Sequence, residues 1–224
     1  MRSLIGAMAL VVGGTVAVGA QISGQLTDRI RASADVLAAI GGEPDKDIPH
    51  DLWQKAQCVV VVPSLKKAAF VFGGEYGKGL MSCRRGGVWS APVFMALEKG
   101  SWGFQIGGES IDLVLLVMNQ SGMNKMLQDK VSLGADAAVA AGPVGRSATA
   151  STDAQMNAEI LSYSRAQGLF AGIDVSGGVL RPDVEANRAM YGHDISARAV
   201  LSDSTKAPAA TEPFMAALRR ERLK

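Results

Sequence analysis

Glycine interrupts a run of aromatic and β-branched residues over positions 68–119, and no other feature restricts the fold of this chain as much. Within it Phe70-Val71-Phe72-Gly73-Gly74-Glu75 is echoed 34 residues later by Phe104-Gln105-Ile106-Gly107-Gly108-Glu109. Period-two runs with a glycine pair at the same place predict twisted strands that bend sharply or pack backbone to backbone. Strand-like runs fall at 68–74, 79–84, 88–97, 102–106 and 111–118, with turns at 77–79, 85–87 and 98–101. Such short connections predict antiparallel neighbours.

The flanks add helices. Leu26, Ile30, Ala34, Leu37 and Ile40 recur at helical spacing over 25–40, and Gly41-Gly42 ends that helix. A short helix at 48–54 runs into the apolar strand 58–62, closed by Pro63 and a basic turn at 64–67. Downstream, a helix at 121–128, strands at 160–165 and 168–175 about a hinge at Ala166-Gln167, and a helix at 184–190 follow. The fold class is α+β: a strongly bent, glycine-rich antiparallel sheet, close to barrel-like, with packed helices.

Arg2, the apolar run 4–18 and the small residues before Gln21 have the form of a signal peptide over 1–20, with a retained anchor as the alternative. The remaining length suits a single domain over 21–200, with helices in 25–54 and a sheet core over 57–191. A Pro/Ala linker and a basic tail helix then fill 201–224 as a free or partner-binding segment. With 23 basic and 21 acidic residues, the balance excludes a dedicated nucleic-acid binder. Any attraction to an anionic surface must be local. The two cysteines, Cys58 and Cys83, both lie in strand-like runs, and the sequence leaves open a disulfide or two buried thiols.

Catalytic patterns fail on inspection. Ser64-Leu65-Lys66-Lys67 matches Ser-x-x-Lys, but it follows a proline between strands and lacks the companion motifs of that chemistry. Residues 72–79 miss the phosphate-loop pattern twice, with Phe72 at its first glycine and Gly79 at its Ser/Thr position. His50 and His193 have no metal-ligand spacing. Asp112, Asp136, Asp174 and Asp183 suit turn and capping roles. The expectation is a non-enzymatic chain with no catalytic residue, metal or cofactor. Two features suit binding instead. Lys66, Lys67, Lys78, Arg84 and Arg85 lie in or beside turns and would converge if those turns share one edge. Leu26, Ile30 and Leu37 form an apolar stripe that would insert into a membrane interface if it does not face the core.

The chain resembles the SYLF domain family. The resemblance rests on Ile48-Pro49, Val59-Val60-Val61-Val62-Pro63-Ser64, the run from Lys67 to Gly79, Trp89-Ser90-Ala91-Pro92 and Gly103-Phe104-Gln105-Ile106-Gly107. It continues through Asp112 to Asn119, Gly134-Ala135-Asp136-Ala137, Ala141 to Arg146 and Tyr163 to Gly172. Membership implies a membrane-associated, phospholipid-binding module, in eukaryotes also an actin binder, acting through an N-terminal amphipathic segment and basic residues that correspond to Lys66, Lys67 and Lys78. The export signal implies a bacterial member, periplasmic or secreted. The sequence thus predicts binding of anionic phospholipid or a lipid-like ligand at the cell envelope, with an envelope assembly protein acting through protein contacts as the alternative. Its partners are then an anionic lipid or membrane surface or an envelope protein, and no nucleic acid.

Overall fold

The computed structural model describes residues 16–40, 47–68, 73–101, 110–145, 157–202 and 205–220. Ten strands form one curled sheet: β1 (Cys58–Ala68), β2 (Gly73–Arg85), β3 (Val88–Trp89), β4 (Val93–Ser101), β5 (Ser110–Val117), β6 (Val131–Ser132), β7 (Val139–Ala141), β8 (Ile160–Ala166), β9 (Leu169–Gly172) and β10 (Gly178–Pro182). The helices are α1 (Val16–Ala38), α2 (His50–Lys55), α3 (Gln120–Met126), α4 (Val184–Tyr191), α5 (Ala197–Ser202) and α6 (Glu212–Arg220). The strand order is β6-β10-β4-β2-β1-β5-β8-β7, with β3 beside β2 and β9 beside β8. The α+β, strongly curled architecture expected from the glycine pattern is present. It is mixed in one place, where β7 runs parallel to β8.

Both faces of the sheet are covered, which explains the unbroken apolar run at 58–62. A strand buried on both faces has no polar side to alternate with. Val59, Val61, Leu80, Phe94, Val114 and Leu116 face α1, α2 and α6. Val60, Val62, Met81, Met95, Leu113 and Leu115 face α3, α5 and β6. Cys58 and Cys83 pair directly across β1 and β2 and are joined as a disulfide, so the alternative of two free thiols is overturned.

Three turns expected from the sequence are strand interior. Pro63 does not end β1. One extra residue bulges there, since Val62 and Leu65 face Leu113 and Ile111 of β5, and Val61 and Lys66 face Leu80 and Tyr76 of β2. A bulge is where a sheet accepts a residue with no N–H to give. Ser64 takes φ 51° at this point and donates its N–H to the Asp112 carboxylate at 3.0 Å. Gly77-Lys78-Gly79 lies in mid-β2, where a Cβ on Gly79 would stand 1.9 Å from the Val61 carbonyl oxygen. Glycine serves close backbone approach there, not a turn. Likewise β4 continues through 98–101. The turn at Gly86-Gly87 occurs as expected, with positive φ at both residues, whereas the hinge expected at Ala166-Gln167 falls one residue later, since Ala166 ends β8 and Gln167 and Gly168 take positive φ. The strands expected at 69–72 and 102–106 lie outside the described residues.

The C-terminal helix is not a free tail. Phe214, Met215, Ala217 and Leu218 of α6 are buried with α1 in the core. The backbone of α1 already runs helical from Val16, across the expected cleavage point before Gln21. Its buried face begins only at Leu26 among the described side chains.

Candidate functional site

Strand register decides which polar side chains share a face. On the helix-covered face at the β1–β2 tip, Lys66 of β1 stands opposite Tyr76 of β2, Tyr76 opposite Glu98 of β4, and Glu98 opposite Val179 of β10. One row inward, Lys78 faces Ala96 and Ala96 faces Arg181. One row outward, Gly74 faces Gly100. Strands lie about 4.8 Å apart, so the Lys66-to-Val179 row spans about 14 Å. Lys66, Gly74, Tyr76, Gly100 and Arg181 are exposed. This corner of the sheet extends beyond its helical cover.

A polar knot closes the inner side. The Asp183 Oδ2 atom accepts from Arg29 Nη1 of α1 and Lys78 Nζ of β2, both at 3.0 Å, while Oδ1 caps the Ala186 N–H at the start of α4. Burial works against ionisation of Asp183, but the hydrogen bonds from Lys78 and Arg29 outweigh it and hold the carboxyl below its ordinary range. The bond to Asp183 correspondingly raises Lys78 above the usual lysine value. Asn187 of α4 pairs with both backbone groups of Phe94 at 2.9 Å, and the Arg29 guanidinium lies 5.4 Å from the Phe94 ring centroid. The knot joins α1, α4, β2 and β4 and leaves Lys78 reaching to the surface.

On the outer side, Gly74, Gly100 and Gly177 help line a cavity of about 550 Å³. Its polar lining includes Lys99, Lys130 and Arg181 with Glu75 and Glu98. Arg181 Nη2 donates to Glu98 Oε1 at 2.6 Å, an ion pair that raises the guanidinium further. Lys99 Nζ donates to the Asp174 carbonyl at 3.3 Å.

The five cations singled out from the sequence do not converge. Lys66 and Lys78 share the corner just described, and Lys67 precedes the same tip. Arg84 and Arg85 sit at the opposite end of β2, six or more residues away, which is about 20 Å along a strand. Arg84 donates to the Trp53 and Gln54 carbonyls and lies 4.3 Å from the Trp89 ring centroid, so it fastens α2 to the β2–β3 hairpin. Leu26, Ile30 and Leu37 are buried in the α1–sheet interface, so their insertion into lipid would require α1 to leave the fold. Sequence reasoning missed Arg29, Lys99, Lys130 and Arg181. None of these stands in a motif; strand register brings Lys99 and Arg181 to the corner, and the packing of α1 and of the segment before β6 adds Arg29 and Lys130.

The carboxylates are each engaged locally. Asp112 pairs with Arg165 at 3.1 Å, Asp136 accepts the Ser132 N–H and Asp174 accepts from Ser176. Among the described residues no group of three His, Cys, Asp or Glu side chains converges as a metal site would need, and no helix is long and apolar enough to cross a membrane.

A curled α+β sheet with covering helices is the fold expected of the SYLF class, and comparison with known proteins agrees. The profile of the Ysc84 family, described as "Las17-binding protein actin regulator", matches residues 98–221. The chain is 34% identical over 178 residues to LAS seventeen-binding protein 3 of Saccharomyces cerevisiae, covering 78% of this chain and 39% of that protein. It is 33% identical to Protein YSC84 of the same yeast, over 76% of this chain and 37% of that protein. With human SH3 domain-containing YSC84-like protein 1 it shares 33% identity over 171 residues, 75% of this chain and 50% of that protein. This chain belongs to the Ysc84 (SYLF) family. It spans about two fifths to one half of the length of these relatives.

Proposed function

We propose that this chain is a non-enzymatic binding module that docks on anionic phospholipid surfaces through the basic corner of its sheet. The row Lys66–Tyr76–Glu98–Val179, with Lys78 and Arg181 behind it, carries the reading. It sets cations around one aromatic ring on an exposed face. Lys66, Lys78, Lys130 and Arg181 stand there against Glu98, while the mostly buried Arg29 and Asp183 cancel each other behind them. Each base near an anionic leaflet contributes about 1 kcal/mol, so a surplus of three is worth about 3 kcal/mol at low salt. Tyr76 is 43% exposed and has the amphipathic ring that suits a lipid–water interface. The Cys58–Cys83 disulfide supports placing this activity in an oxidising compartment, as the export-like N-terminus implies.

Flotation with neutral and anionic vesicles at low and high salt tests the surface. Binding that needs anionic lipid, fades with salt and falls in Lys66→Glu/Lys130→Glu is expected. Equal binding of wild type and this variant would refute it.

Family membership favours a second reading, a protein partner, because the family description and the yeast relative's name both concern Las17 binding. A partner held through apolar contacts would stay bound at high salt, whereas attraction through exposed bases would not.

A further inference from the structure

We propose that a second cavity, where β10 passes into α4, is a receptor for a small zwitterion: a free α-amino acid with an apolar side chain. It measures about 230 Å³, below the range of about 300–1,000 Å³ usual for drug-sized ligands, so it admits only a small solute. The cavity is open because β6 is short. Val131 is the first residue of β6 and stands opposite Leu180 of β10. Continuing that register backwards brings Asp129 beside Pro182, with no ladder to join them. Carbonyl direction alternates along a strand. The Gly178 carbonyl turns away from β4 to accept the Leu133 N–H, whereas the Asp183 N–H turns to the Phe94 carbonyl of β4. Pro182 is in phase with Gly178, so its carbonyl also turns away from β4, toward Asp129, and among the described residues no N–H meets it. An unpaired carbonyl beside a carboxylate offers two acceptors to one ammonium group.

The lining carries one charge of each sign, and the two are not paired with each other. Asp129 is exposed, and among the described residues its carboxylate makes no hydrogen bond or ion pair. Arg181 gives Nη2 to Glu98, which sets the guanidinium in place and leaves its other donors for a ligand carboxylate. The Ser196 Oγ atom accepts the Ala199 N–H, so its own hydrogen is left to donate. A simple anion would be repelled by Asp129 and a simple cation by Arg181, whereas a zwitterion satisfies both. The remaining wall is apolar. Val184 is 60% exposed at the start of α4, and with Ile195 and Ala197 it gives the ligand side chain a surface to leave water against.

The test is amide NMR titration of the whole chain with leucine, with N-acetylleucine, which lacks the ammonium, and with leucinamide, which lacks the carboxylate. Saturable shifts at Val184, Glu185, Ser196 and Ala197 are expected with leucine. Each blocked compound should bind at least about tenfold more weakly, having lost one charge-assisted contact. Asp129→Asn should weaken leucine until it binds no better than N-acetylleucine, and Arg181→Gln until it binds no better than leucinamide. Both positions are exposed, so both variants should melt close to the wild type. No saturable shift with leucine, or leucine affinity unchanged in both variants, overturns the site. A blocked compound binding as tightly as leucine overturns the zwitterion assignment in favour of a peptide end. Asp129 has no part in docking on vesicles. An Asp129→Asn chain that loses leucine but still floats with anionic vesicles supports two separate sites, and loss of both overturns their separation.

Discussion

Replacing Asp183 should unfasten α1 from the sheet, because one carboxylate serves three partners. Its Oδ2 atom is shared by Arg29 and Lys78, and Oδ1 caps α4. The side chains of Arg29 and Asp183 are 11% and 8% exposed, so Asp183→Ala strands a mostly buried guanidinium. Breaking a buried pair from one side costs about 3–5 kcal/mol, and loss of the cap adds about 1 kcal/mol. Lys78 is 38% exposed and finds water instead, so its share is small. A loss of about 4–6 kcal/mol lowers the melting temperature of a domain this size by roughly 8–24 °C. Urea unfolding of wild type, Asp183→Ala and Asp183→Asn measures it. Asn keeps size and capping, so it should lose the ion-pair part alone. The pH dependence has a definite sign. A carboxylate whose folded pKa is depressed contributes stability above its unfolded value and loses it as pH falls through the folded one. Wild type should therefore weaken below the ordinary aspartate range by more than Asp183→Asn does. Both variants within 0.5 kcal/mol of wild type at neutral pH, on the order of measurement scatter, would refute this account of the knot.

Other consequences are equally direct. Gly79→Ala forces a methyl onto the Val61 carbonyl and should cost several kcal/mol or prevent folding, whereas Gly74→Ala, whose methyl would meet only the Lys99 carbonyl at 3.7 Å, should change the melt little. Glu159 is held at about 2 by hydrogen bonds from Lys125, then Ser121, against the opposing effect of burial. Its stabilising contribution is thus full above the ordinary glutamate value and fades as pH falls toward 2, and Glu159→Gln should flatten that part of the urea-midpoint profile. The disulfide closes a segment with a separation of 25 residues, worth about 3 kcal/mol, so reduction should lower the urea midpoint, while native unreduced protein should yield no thiol to alkylation. Phe214→Ala, which empties a fully buried site between α6 and α1, should cost about 3–5 kcal/mol, and a melt within 2 °C of wild type would show that α6 is dispensable.

Much of this molecule is determined locally and was legible as such. The helical spacing of Leu26, Ile30 and Leu37, the β-branched run from Val59 to Val62, and the positive-φ pair Gly86-Gly87 depend on neighbours a few residues away. Side-chain period and turn chemistry operate at that range, so α1, the core of β1 and that turn follow from them. The ordered motifs also identified the family. Tertiary structure decided what depends on partners far along the chain. Gly77 and Gly79 carry the same turn signal as Gly86, yet they are strand interior because β1 bulges against them. Leu26 and Phe214 have amphipathic spacing that suits a membrane or a core equally, and only the mutual packing of α1 and α6 on the sheet assigns them to the core. The binding corner is the extreme case. Lys66, Tyr76, Glu98 and Arg181 span 115 positions in sequence but stand in adjacent rows because four strands pair in one register. Register is a property of the assembled sheet, since a slip of one residue would send each of these side chains to the opposite face.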